Sequence, residues 1–157
     1  MSLTAYIIAA LLLSAYFNGT ETVFTVFDRI LAVGWVRARK FGARATYFFS
    51  AHPERFLSTT LIGNTVAQVS LSFLVVVWAE ESGIHRAWVV ILTPLAVLVL
   101  CEILPKTIGF TAANAAVRVV SFPLLIFYYL ALPVRMLIYP FVRFAARSKE
   151  EELRIVS

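Results

Sequence analysis

Three long apolar blocks, at residues 5–27, 56–79 and 86–104, constrain this chain more than any other feature. Each is close to the ~20 residues that a helix needs to cross a hydrocarbon core of roughly 30 Å. Backbone in lipid must satisfy its polar groups internally, and a stretch of this length does so as a helix. A fourth apolar stretch occupies 119–146. Composition agrees: 61% of the 157 residues are hydrophobic and 15% are charged, with a mean hydropathy of +0.85. An ordinary water-exposed domain is about half apolar and about a quarter charged. The sequence specifies an all-α integral membrane protein.

The net charge of +5 is a matter of topology and not a nucleic-acid footprint, because the bases are not spread evenly. Residues 29–55 hold Arg29, Arg37, Arg39, Lys40, Arg44 and Arg55 against Glu54 alone, whereas the turn "AEESGIHR" (79–86) carries two acids and one arginine. Basic loops mark the cytoplasmic side. That puts the N-terminus outside and the C-terminus in the cytoplasm of a multi-pass protein of the plasma membrane. Trp78 and Trp88 then stand at the outer interface and Trp35 at the inner one. "VRARKFGARATYFFSAHPER" (36–55) mixes bases with aromatics, the pattern of an amphipathic helix on the membrane surface. Pro53 opens the second span at a first-turn position, where its missing N–H costs little. "MSLTAYII" has no basic residue before the first block, so that helix is expected to stay in the mature protein. Cys101 is the single cysteine, which excludes an intrachain disulfide and suits a packing role.

The fourth stretch contains "SFPLLIFYYLALPVRMLIYPFVRF" (121–144), with prolines at 123, 133 and 140 and Arg135 near its centre. With three spans, 13 of the 14 basic residues lie on the cytoplasmic side. A crossing here would send Arg143, Arg147 and Lys149 outside, against the charge rule. Residues 119–146 are therefore expected as bent helices along the inner interface or against partner subunits, with a fourth span as the alternative. The expected organisation is a transmembrane domain over 1–147 and the start of a polar linker over 148–157.

Polar residues inside the spans need a reason, since intramembrane ionisable groups are rare and face the bundle interior. The first span holds Asn18, Thr20, Glu21 and Thr22. "STTLIGNTVAQ" (58–68) in the second holds Gly63, Asn64 and Gln68, and "CEILPKTIG" (101–109) closes the third with Glu102, Pro105 and Lys106. Asn64 is nine residues beyond Arg55, roughly 13 Å along a helix. Glu102 lies most of the way down its span, so the three groups fall at compatible depths. The donors are carboxylate, amide and hydroxyl oxygens with no Cys/His cluster, which excludes a zinc-type site and suits Mg²⁺ or Na⁺. Pro105 is expected to break the helix and free carbonyls beside Glu102. Structural readings stand alongside. Ser58, Thr59 and Thr60 suit close packing, Glu102 suits pairing with Lys106 one turn on, and Glu21 suits a paired acid. Asp28, Arg29, His52 and His85 suit span ends, and the sequon "NGT" (18–20) is out of reach of glycosylation in a span. No catalytic constellation is present, and the chain is not expected to be an enzyme.

In order, "FNGTETVFT", "HPERFLSTTLIGN" and "EILPKT" resemble the transmembrane domain of the CorC/CNNM magnesium transporters, and the resemblance runs from about residue 5 to 155. It implies three spans, an interfacial juxtamembrane helix, a homodimer, and Mg²⁺ export coupled to Na⁺ entry. It also implies a dehydrated Mg²⁺ held by Asn18 and Thr20, Asn64 and Glu102, with a carbonyl near Gly109 in addition. "KEEELRIVS" resembles the helix that leads into that family's cytosolic paired CBS domains. A serine is usual in the family at Asn18, a second Asn is common at Thr65, and a Gly often stands at Cys101. The span-one ligand is thus Asn18 or Thr20. A Mg²⁺-sensing scaffold that regulates a partner without carrying flux is the alternative function.

Overall fold

The structure, a computed structural model, describes residues 3–83, 85–134 and 136, and every regular element among them is helical. Helix α1 is Leu3–Val26, α2 is Arg29–Arg37, α3 is Ala43–Ala51 and α4 is Pro53–Glu81. Helix α5, Arg86–Val97, passes into a π-helical segment, Leu98–Ile103, and this into α6, Leu104–Leu130. Three helical stretches are long and apolar enough to cross a membrane: Leu3–Val26, Pro53–Glu81 and Ala87–Leu130. At 1.5 Å per residue the first two measure about 36 and 43 Å, enough for a core of roughly 30 Å. Their outward faces carry exposed Ile8, Leu12, Leu61, Val69, Phe73 and Val90, as lipid-facing helices do.

The interior is held by aromatics. Phe24 lies 4.4 Å from Phe56 and 6.1 Å from Phe49, while Phe49 meets Tyr128 at 6.0 Å, joining α1, α3, α4 and α6 in one cluster. Such edge-on and offset pairs add to plain burial. A smaller cluster of Ala10, Leu71 and Cys101 ties α1 and α4 to the π segment.

The connection between the first two spans folds as two short helices where the sequence suggested one. Asp28 starts α2 by accepting from Ile30 N at 2.9 Å, and its own N–H donates to Asn114 Oδ1 of α6 at 3.0 Å. α2 stops when Lys40 N reaches back to Trp35 O at 3.0 Å, with Arg39 in the left-handed region at φ 51°. Gly42, at φ 72°, then starts α3. A Cβ at Gly42 would sit 2.0 Å from Arg118 O, so only glycine lets the turn approach α6 this closely. Helix α3 lies along α6, with Thr46 Oγ1 and Ser121 Oγ 2.9 Å apart.

Two expectations about the third span need correction. Pro105 does not break the helix; it is in the first turn of α6, and the irregularity lies just before it. There the ladder widens, with Leu104 N donating to Val99 O five residues back. A five-residue register lets later N–H groups reach carbonyls that the proline cannot serve. Second, the stretch from 119 does not start a separate element but forms the second half of α6. Gly109 abuts Gly19 while the Phe127 ring lies 4.9 Å from Phe17, two residues away on α1. A straight helix would separate Gly109 from Phe127 by about 27 Å, more than those contacts allow. α6 therefore bends, and Ser121 Oγ bonding back to Val117 O, together with Pro123, accounts for it. Arg135, Pro140 and the remainder of 137–157 lie outside the described residues.

Candidate functional site

Asn18 and Asn64 meet across the contact of α1 with α4. Asn18 is buried at 3% exposure, and its Nδ2 donates to Asn64 Oδ1 at 3.3 Å, while Asn64 Nδ2 returns a bond to Asn18 Oδ1 at 3.3 Å. Ser14 Oγ donates to the same Asn64 Oδ1 at 3.2 Å, and Asn18 Nδ2 also reaches Ser14 O at 3.2 Å. Ser14 is fully buried and had no place in the sequence reading. The available signal was its position four residues before Asn18, on the same helix face. The cluster extends to the π segment through Cys101, buried against α1, whose Sγ lies 3.6 Å from Leu11 O. Gly63 sets the distance between α1 and α4, since a Cβ there would fall 2.1 Å from the Phe17 ring.

Glu102 follows Cys101, but its carboxylate turns to its own helix. Lys106 Nζ donates to Glu102 Oε1 at 3.0 Å, with both side chains roughly half exposed. Among the described residues Glu102 makes no hydrogen bond to Asn18, Thr20 or Asn64. Thr20 lies on another face of α1. Two residues turn a helix by about 200°, so Asn18 faces α4 while Thr20 faces α6. There Thr20 lines a cavity of about 360 Å³ with Tyr16, Gly19, Leu104, Pro105 and Gly109. Thr20 is 1% exposed, and among the described residues its Oγ1 forms no well-aligned hydrogen bond, with the Tyr16 hydroxyl as its polar neighbour. Tyr16 commits its hydroxyl hydrogen to Val120 O at 2.6 Å.

The remaining candidates divide by role. Gly109 packs against Gly19 O and Val23, and Gly19 packs against Pro105, which brings α1 and α6 into close contact. Thr22 Oγ1 bonds back to Asn18 O at 3.3 Å. Gln68, half-buried, stands one turn beyond Asn64 on α4. Glu21 is exposed on α1. Ser58, Thr59 and Thr60 return their hydroxyls to backbone carbonyls within α4. The described residues hold no group of three or more His, Cys, Asp or Glu side chains that could bind a metal. Any cation site here would rest on amides, hydroxyls and one carboxylate. Residues 5–154 match the family described as the Cyclin M transmembrane N-terminal domain (CNNM). No curated protein matches the chain.

Proposed function

This chain belongs to the CNNM family, a family of membrane proteins related to Mg²⁺ transport, and from that premise we propose that it exports Mg²⁺ in exchange for Na⁺. The observation that carries the reading is the hydrogen-bonded knot of Ser14, Asn18 and the partly buried Asn64 between two spans, next to the π segment that bears Glu102. In this proposal Asn64 and Asn18 supply amide oxygens and Glu102 supplies the charge that offsets Mg²⁺ desolvation; Thr20, on the α6 face of α1, reaches the ion only when α1 rotates. Pro105 and Lys106 shape the turn around Glu102, Gly109 brings α6 against α1, and Thr22, Gly63 and Gln68 support the walls.

Ligation has a cost that the geometry makes explicit. Asn64 Oδ1 already accepts two hydrogens, from Ser14 and Asn18, so cation binding displaces at least one of them. Glu102 likewise exchanges the Lys106 ammonium for the ion. The alternating-access step would be a small repacking of α1 against α4 and the π segment that opens these contacts, of the kind π bulges often accompany at functional sites. Glu21, a carboxylate about 10 Å along α1 from Asp28 and exposed in the single chain, supports a homodimer in which a second copy covers that face.

The second reading, a Mg²⁺-sensing scaffold acting on a partner, draws on the Glu102–Lys106 pair, which balances the carboxylate without an ion. Flux in proteoliposomes separates the two. The exporter moves Mg²⁺ and responds to an imposed Na⁺ gradient, whereas the scaffold binds Mg²⁺ without moving it.

A further inference from the structure

The turn between α2 and α3 has features that the transport reading does not use. A cavity of about 450 Å³ opens there, and its lining combines Arg39, Lys40 and Arg44 with Phe41, Phe122 and Leu125. Residues 29–53 contain five bases and no acid. Among the described residues Arg39, Lys40 and Arg44 form no ion pair, and all three are exposed. Behind the turn Arg118 lies 5.0 Å from the Trp35 ring, adding a further positive charge to the same flank.

Arg39 adds an independent signal. It occupies the left-handed position that terminates α2, at φ 51°, where glycine is the usual residue because it adopts that conformation without strain. An arginine there gives up backbone stability and places a guanidinium at the cavity.

The apolar surroundings identify the ligand class. Ile30 is 81% exposed, Phe41 65% and Phe122 49%, and the Phe41 and Phe122 rings pack together at 5.5 Å beside the bases. A segment with exposed aliphatic and aromatic groups next to clustered cations sits at the headgroup boundary, with its apolar groups among the acyl chains. We propose that this cavity binds the phosphate of an anionic phospholipid, with Arg39, Lys40 and Arg44 on the phosphate and Phe41 and Phe122 along the glycerol and upper acyl region. The site is separate from the cation site, so it holds or fails independently of what the protein transports.

The test is thermal unfolding of the purified protein in mild detergent, titrated with dioleoylphosphatidylglycerol, dioleoylphosphatidylcholine or inorganic phosphate. Phosphatidylglycerol is expected to raise the midpoint, with phosphatidylcholine and inorganic phosphate having little effect at equal phosphorus. A base near an anionic surface contributes about five-fold in affinity. Arg39→Gly should therefore weaken the phosphatidylglycerol response about five-fold, and adding Lys40→Gln and Arg44→Gln should weaken it roughly a hundred-fold. Arg39→Gly relieves backbone strain, so without lipid it should be at least as stable as the parent, and its lost response cannot be blamed on misfolding. An unchanged phosphatidylglycerol response in Arg39→Gly and in the triple variant would overturn the site. Equal stabilisation by phosphatidylcholine would overturn the role of charge, and equal stabilisation by inorganic phosphate would overturn the lipid assignment.

Discussion

Removing the Asn64 amide, as in Asn64→Ala, deletes three interhelical hydrogen bonds at once: Ser14 Oγ to Asn64 Oδ1, Asn18 Nδ2 to Asn64 Oδ1, and Asn64 Nδ2 to Asn18 Oδ1. Hydrogen bonds between membrane helices average about 0.6 kcal/mol each and reach at most about 1.7. The expected loss is therefore about 2 kcal/mol, with a ceiling of about 5. Ser14→Ala removes one of the three and should cost about 0.6 kcal/mol. Two of the bonds belong to Asn18 and Asn64 jointly, so a double-mutant cycle with Asn18→Ala should give a coupling of about 1 kcal/mol. Reversible unfolding in mixed micelles of rising denaturing-detergent content measures all four corners of the cycle. Coupling within the ~0.3 kcal/mol scatter of independent sites would mean that the two amides do not meet, and the polar knot would lose its geometric basis.

Gly42→Ala should destabilise by more than the roughly 1–2 kcal/mol of a left-handed L residue, because its Cβ must also displace the Arg118 backbone, while Gly34→Ala, where a Cβ meets nothing within 4 Å, should be neutral or mildly stabilising by the same unfolding assay. Lys106→Met should raise Mg²⁺ affinity by up to about five-fold in calorimetry, the most that releasing a half-exposed ion pair of up to about 1 kcal/mol allows; a weaker affinity would remove Glu102 from the site. Ser148→Cys should be labelled only from the cytoplasmic side in oriented membranes, and labelling from outside would establish a fourth crossing.

The spans were legible in the sequence because lipid imposes length and hydropathy directly, and Pro53 opens α4 as its position required. The meeting of Asn18 with Asn64 was legible in part: depth could be counted from Arg55, but which face each residue presents could not. Thr20 shows the difference, since it shares the depth of Asn18 yet faces α6. Ser14 escaped notice because one serine in "LLLSAYF" reads as packing until its partner across the helix contact is known. The π segment was illegible for a different reason. Hydropathy period reports an average of 3.6 residues per turn, and one wider turn inside a uniformly apolar run leaves no trace. Pro105 pointed to the right place but the wrong consequence, since a proline in the first turn of a helix is compatible with continuation. The division of residues 29–51 into two helices followed from Arg39 and Gly42, whose left-handed backbone the amphipathic pattern does not encode.

We propose that Mg²⁺ passes through a site charged by Glu102 and walled by Asn18 and Asn64. Mg²⁺ flux in proteoliposomes, compared between the parent and Glu102→Gln under the same Na⁺ gradient, tests it most directly. The substitution keeps size and hydrogen bonding and removes the charge. Na⁺-dependent flux is expected in the parent, and its loss in Glu102→Gln with the fold intact by unfolding in micelles. Equal flux in the two proteins would contradict it.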